Sequence, residues 1–196
     1  EKSVEYLQRL EKESNKILLK QIGSTGIGKP MYVAFISSPE NIKNLDKLIE
    51  INTKLALDYT INENELAKFV QDGKVFVLAS LSIHATEVGP AQAAPVHAYN
   101  WINTTDPKKI EVLNNVVFMM IPSQNPDGMD MIVDHYYKYK DSKYESSSFP
   151  GLYNLYNGHD NNRDYLFLTQ PESKNLFALS STKWFPQVFV DKIVSR

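Results

Sequence analysis

Two apolar runs, Val75 to Leu81 with Ser80 its one polar residue and Val116 to Ile121, constrain this chain more than any other feature. Each has the length of a strand and falls far short of the ~20 residues that cross a bilayer. Runs without polar alternation suit strands covered on both faces, and such strands sit in sheets whose parallel neighbours are joined by helices. The predicted fold class is therefore α/β, with a mixed, largely parallel central sheet flanked by helices. With 196 residues and 42% hydrophobic content there is material for one sizeable core, so residues 1–196 are expected to form a single domain.

Around these runs the chain punctuates itself. Val4, Leu7 and Leu10 at helical spacing behind Ser3 predict a first helix ending near Asn15. Lys16 to Ile22 and Pro30 to Ser37, separated by turn glycines, predict a hairpin. Asn41 to Leu57 and Glu63 to Gln71 read as helices. Pro90 to Ile102 is a further helix, with a kink or late start expected at Pro95, whose ring and missing N–H cost ~3 kcal/mol in a helix interior. Asp106 to Leu113 is helical, residues 129–165 show little periodicity, and a helix from Pro171 to about Thr182 leads to a third strand, Gln187 to Val190.

Charge excludes several functions. Lys plus Arg number 21 against 23 Asp plus Glu, a formal net charge of -2, so no basic field exists to hold nucleic acid. The absence of cysteine removes disulfides, thiolate catalysis and cysteine-ligated zinc together. Any metal must be held by His, Asp or Glu.

The loops after the buried strands hold the chemistry, because ligands of open α/β sheets bind beyond the carboxyl ends of the strands. After the first run comes Ser82-Ile83-His84-Ala85-Thr86-Glu87, an imidazole and a carboxylate three residues apart. Zinc accepts both donors at about 2.0–2.2 Å and in catalytic sites takes three protein ligands plus water, so a third ligand is needed elsewhere. After the second run comes Asn125-Pro126-Asp127-Gly128, with the composition of a turn. His97 reads as a half-buried helix residue, and His135 and His159 as exposed loop residues.

His84-x-x-Glu87, Asn125-Pro126-Asp127-Gly128 and Asp160-x-Asn162-Arg163, in this order and spacing, resemble the zinc carboxypeptidase family over nearly the whole chain. The resemblance implies a Zn2+ held by His84 and Glu87 together with a His beyond a later strand. Asp160 is then the acceptor behind His84, and Asn162 and Arg163 receive the terminal carboxylate of a peptide or protein, the planar guanidinium being suited to two parallel hydrogen bonds. Export to the periplasm or outside the cell is suggested by the resemblance alone.

Departures from the family pattern shape the expectation. Ile193 stands where the third ligand would be, and the family's general-base Glu, mobile Tyr and specificity pocket would come from a part beyond Arg196. No Arg lies between Gly128 and Arg163. The ending reads as cut or frameshifted, so the sheet is expected to be incomplete at its C-terminal side. No catalytic base is assigned. The functional expectation is a metallocarboxypeptidase-like protein whose complete domain hydrolyses C-terminal peptide bonds, this chain alone being inactive. Alternatives are a non-catalytic module that binds peptide carboxylates and a related zinc amidase acting on small acylated amino acids.

Overall fold

A computed structural model of the chain describes residues 2–154 and 158–192. In chain order the elements are α1 (Lys2–Glu13), β1 (Ile17–Ser24), β2 (Pro30–Ile36), α2 (Pro39–Lys43), α3 (Leu45–Leu57), α4 (Glu63–Asp72) and β3 (Val75–Leu81). They continue with α5 (Val88–Ile102), α6 (Pro107–Asn115), β4 (Val116–Ile121), α7 (Pro126–Tyr139), α8 (Pro171–Ala178) and β5 (Val188–Lys192). One five-stranded mixed sheet runs β1-β2-β4-β3-β5. Its antiparallel hairpin β1-β2 joins β4 antiparallel, while β4, β3 and β5 run parallel. The parallel part is thus the half that holds both apolar runs.

Alternate residues of those runs enter two cores, as period-2 geometry requires. Phe76, Leu78, Val117, Met119 and Ile121 pack with Val33, Phe35, Leu45, Leu48, Leu176 and Trp184 on one face. Leu81 and Met120 pack with Leu7, Leu10, Ala34, Ala94, Ala98 and Leu113 on the other. α3 and α8 cover the first face, and α1, α5 and α6 the second. Among the described residues no helix is long and apolar enough to cross a membrane.

Four expectations need correction. The helix predicted from Asn41 to Leu57 is two helices. Ser38 caps α2 by accepting from the Asn41 N–H at 3.3 Å, Pro39 occupies the first turn, and the chain breaks at Asn44. α5 neither starts late nor breaks at Pro95. Pro95 cannot donate to the Ala91 carbonyl, and the Ser3 hydroxyl of α1 donates to that oxygen instead, at 3.5 Å. Residues 126–139, expected to be irregular, form α7: Asn125 caps it by accepting from the Gly128 N–H at 2.9 Å, and Pro126 pre-sets the first turn. β5 extends through Asp191 and Lys192 instead of ending at Val190.

The open side lies at β5. Among the described residues it pairs only with β3, and Val188 and Phe189 are 44% and 46% exposed. A cavity of about 320 Å3 beside it, between α5 and the sheet, is lined by Ala79, Leu81, Trp101 and Phe118. Ile193, expected to occupy the third-ligand position, lies outside the described residues.

The start of β4 and the end of β2 are held together by a buried amide. Asn41 is 5% exposed and its Nδ2 donates to Ser37 Oγ and to the carbonyls of Leu113 and Asn114, tying α2 to the end of α6. Asn41→Leu strands those acceptors and should lower stability by about 1–3 kcal/mol in urea unfolding.

Candidate active site

The loop after β3 turns sharply enough to alternate its side chains. Ser82 adopts φ 54, a left-handed conformation uncommon for a non-glycine residue. Its buried hydroxyl compensates by donating to the Glu87 carbonyl at 2.6 Å and accepting from the Ala91 N–H at 3.1 Å. Ile83 and Ala85 point into the core, at 1% and 0% exposure. His84 and Glu87 are left half-buried at the carboxyl end of the sheet.

The two side chains meet. His84 Nδ1 lies 3.1 Å from Glu87 Oε1, and Glu87 Oε2 is buried without a hydrogen-bond partner. Glu87 stands at the N-terminal end of α5 but its carboxylate makes no cap hydrogen bond, which leaves it turned to the imidazole. On the other ring nitrogen, His84 Nε2 is 3.8 Å from Asp160 Oδ2. That is ion-pair range and slightly beyond a hydrogen bond. Asp160 Oδ1 accepts from the Asn162 N–H at 2.6 Å, so one oxygen fixes the Asn161–Arg163 turn while the other faces the imidazole.

Tyr153, which the sequence did not mark, also belongs here, and so does Asp191. The rings of Tyr153 and His84 are 6.4 Å apart, and burial, then the Asp160 and Glu87 carboxylates, push the Tyr153 phenol up to about 12. Asp191 pairs with Ser80 across β5 and β3. Burial pushes its carboxyl up, the His84 imidazole opposes this, and Glu87 adds to it. Its Oδ1 is also buried without a partner. Tyr165 is held near Asp191 and pushed up to about 12 by burial and then by that carboxylate.

His84, Glu87 and Asp160 are therefore brought together, and Asn162 and Arg163 follow Asp160 in the same turn. Arg163 is exposed; its Nη1 donates to the Asn162 carbonyl at 3.1 Å, and it forms no ion pair among the described residues. Asp164, its neighbour, is engaged elsewhere. Asp164 is fully buried and accepts from His159 Nε2 at 2.9 Å, Thr169 Oγ1 at 2.5 Å, the Thr169 N–H at 3.0 Å and the Gln170 N–H at 2.8 Å. His159 is thus not an exposed loop residue. His135 lies on α7, half-buried between the rings of Tyr139 and Phe149. His97 is exposed on α5 and accepts from Trp101 Nε1 at 3.0 Å.

Asn125 joins the site loops. Its Nδ2 donates to the Tyr153 carbonyl and to Asn161 Oδ1, both at 3.2 Å, so the α7 cap is also the support of the Tyr153 and Asp160 segments. Asn125 to Gly128 keeps the scaffolding role expected of it, as a helix start and not a free turn.

A zinc fit can be judged on these donors. Two ligands about 2.0–2.2 Å from one zinc stand ~3–3.5 Å apart, which the His84–Glu87 separation meets, and the orphaned Glu87 oxygen suits a cation. The set is incomplete, however. Among the described residues no group of three His, Cys, Asp or Glu side chains is placed to hold a metal ion. The residues present fit half of a zinc site.

The zinc carboxypeptidase family model matches residues 3–184, and the chain belongs to that family. None of the curated proteins matches it in sequence. Among solved structures it is similar to carboxypeptidase A from Helicoverpa armigera, at 15% identity and TM-score 0.59, with 97% of this chain covering 44% of that one. It is also similar to a metallo-carboxypeptidase from Burkholderia cenocepacia, at 15% identity and TM-score 0.59, covering 97% of this chain and 39% of that one. A metallo-carboxypeptidase from Pseudomonas aeruginosa in complex with (2-guanidinoethylmercapto)succinic acid matches at 12% identity and TM-score 0.60, covering 96% and 38%. The fold is shared, and the chain spans less than half the length of these structures.

Two outcomes follow from the loop geometry. A Cβ at Gly128 would meet the Tyr153 carbonyl oxygen at 2.3 Å and Asn125 Nδ2 at 2.6 Å. Gly128→Ala should displace the Tyr153 segment and lower stability by roughly 1–3 kcal/mol, the range of an overpacked interior, measured by urea unfolding and by the chemical shifts of Tyr153.

The second concerns acid. Burial alone would raise the Asp164 pKa, but its donors, the Thr169 hydroxyl foremost, outweigh burial and hold it well below the usual carboxylate range. A lowered native pKa means stability present above the unfolded value of about 3.9 and withdrawn as pH falls below it. The stability gap between wild type and Asp164→Asn should be flat near neutrality and narrow below about pH 4. Urea titrations at pH 7 and pH 3 measure it.

Proposed function

We propose that this chain carries the metal-holding and carboxylate-reading half of a zinc-dependent carboxypeptidase, whose substrates are the C-termini of peptides or proteins. The observation that carries this reading is the placement of His84 between Glu87 and Asp160, 3.1 Å and 3.8 Å away, with Asn162 and Arg163 in the turn that Asp160 caps. His84 and Glu87 would hold the zinc. When bound, zinc supplies a polarised scissile carbonyl and a water of lowered pKa.

The chain's own residues prepare that chemistry. Asp160 faces Nε2 of His84 at 3.8 Å and would accept that proton on a small closure, which would leave the Nδ1 lone pair for the metal and fix the neutral tautomer. Tyr153 stays a phenol and lines the same edge. Among the described residues Arg163 pairs with no carboxylate, so its guanidinium is available to a peptide's terminal carboxylate, with the Asn162 amide as second donor. Recognition of that group selects exopeptidase over endopeptidase chemistry.

Alone, the 196-residue chain binds metal weakly and does not turn over. Its described residues offer His84 and Glu87 as ligands and no group of three that could hold a metal ion. This makes it, in isolation, a carboxylate-binding module built on a peptidase fold.

The test joins calorimetry to an assay. Zinc titration should show weak binding that His84→Ala removes and Asp160→Ala weakens by about tenfold, the usual cost of losing a partner behind a ligand. Hippuryl-phenylalanine should not be hydrolysed by the purified chain. Zinc binding indifferent to His84→Ala would overturn the metal assignment, and zinc-dependent turnover would show that another residue supplies the missing groups.

A further inference from the structure

The sequence around the carboxylate-reading turn is Gly158-His159-Asp160-Asn161-Asn162-Arg163-Asp164. Its two flanking titratable residues, His159 and Asp164, are not used by the reading above. They nevertheless form the most densely bonded polar cluster of the site loops. Asp164 is 0% exposed, and a buried carboxylate persists only where its oxygens are satisfied. Here His159, Thr169 and Gln170 provide four donors.

The cluster closes the segment on itself. The Leu168 N–H donates to the Asp164 carbonyl at 2.7 Å, with Leu168 at φ 50, and this brings the Thr169 and Gln170 N–H groups back to the Asp164 carboxylate. From the other side, Gln170 Nε2 and Asn154 Nδ2 both donate to the His159 carbonyl at 3.1 Å. His159 is thus gripped at its main chain and, through its side chain, grips Asp164. The turn between them, Asp160 to Arg163, is thus tied on both sides to Gln170, the residue before α8. At the tip of the closed loop Leu166 and Phe167 stand 83% and 70% exposed, so the hub is polar and the rim apolar.

We propose that His159 and Asp164 are positioning residues that hold the Asn162–Arg163 turn in register for a carboxylate ligand, through the closed loop they form with Thr169 and Gln170. The inference rests on the reading of Asn162 and Arg163 as carboxylate donors. Its physical basis is that a guanidinium on a long side chain delivers two parallel hydrogen bonds only if its backbone is fixed, because small misplacement forfeits bidentate geometry. Asp164 is the residue next to Arg163, so the anchor is one peptide unit from the group it serves. His159 ties down the opposite end of the turn, next to Asp160, so the same cluster also fixes the carboxylate that faces His84.

The experiment uses the full chain and N-acetyl-phenylalanine as probe, with N-acetyl-phenylalanine amide as the control lacking a carboxylate. The Arg163 Nε–Hε resonance, assigned through Arg163→Lys, reports binding. In wild type it should shift with the acid and not with the amide. His159→Leu, which removes the donor to Asp164, should weaken binding by at least about tenfold. His159→Gln places an N–H close to where Nε2 was and should bind within about threefold of wild type. Asp164→Asn should behave like His159→Leu, and because it is the more disruptive change, the His159 pair decides if it fails to fold.

Wild-type affinity in His159→Leu, with binding lost in Arg163→Lys, would overturn the positioning role while leaving the carboxylate reading intact. Equal losses in His159→Leu and His159→Gln, matched by equal losses of stability, would overturn it in favour of a general structural role. No response of wild type to the acid would overturn the carboxylate reading and this inference with it.

Discussion

The parallel pairing of β3 with β4, in register from Val75 opposite Val116 to Ser80 opposite Ile121, is the constraint on which the rest of the molecule depends. It lies between the two cores, and it ends both strands at the same level. The Gln124 N–H donates to the Leu81 carbonyl at 2.8 Å, which carries the pairing one step past the last strand residue and starts the two loops side by side. The buried Gln124 amide then reaches the Ser80 hydroxyl and the Glu172 carbonyl. A slip of one residue in this register would turn His84 into the core and Ile83 out of it.

Beyond the strands, order is maintained by amides and carboxylates instead of apolar contacts. Asn125 caps α7 and supports Tyr153 and Asn161; Asp160 caps the next turn and faces His84; Asp164 closes the segment that follows. Each polar side chain serves a backbone group of a neighbouring loop. Such networks are unforgiving when one member is removed, because the partners left behind are buried in low dielectric. The site loops therefore behave as a unit whose geometry is set by several residues with no direct part in chemistry.

The sheet was legible in the sequence because burial on both faces leaves a nearly continuous apolar run, and β3 and β4 lie where those runs predict. The hairpin and the helices at Glu63–Asp72 and Pro107–Asn115 were legible for the same kind of reason. α7 was not, because Asn125-Pro126-Asp127-Gly128 has the composition of a turn as well as that of a helix start, and the tyrosine-rich stretch behind it lacks a clear apolar face. The cap residue and the proline behind it were the available signal. His84, Glu87 and Asp160 were legible as an ordered motif, and the fold does bring them together. Tyr153 was not, because only the closure of a long loop places it near His84. His159 was misread for a related reason: its partner, Asp164, matters through backbone donors at residues 169 and 170, which no local pattern announces.

The electrostatics of the assembled site argue for the order in which it can be filled. Glu87, Asp160 and Asp191 surround one imidazole, and their field together with burial is what pushes the Tyr153 and Tyr165 phenols up to about 12. A site with this excess of negative charge attracts a cation and repels an incoming carboxylate. On the proposed function, a peptide's terminal carboxylate would approach only if that repulsion were offset, first by a cation on His84 and Glu87 and then by the guanidinium of Arg163. That guanidinium lies in the exposed turn beyond Asp160, and Asp164, the acid nearest to it in sequence, is fully occupied by other donors. On that reading, sequestering Asp164 would do two things at once: anchor the turn, and keep the nearest negative charge in sequence from pairing with Arg163.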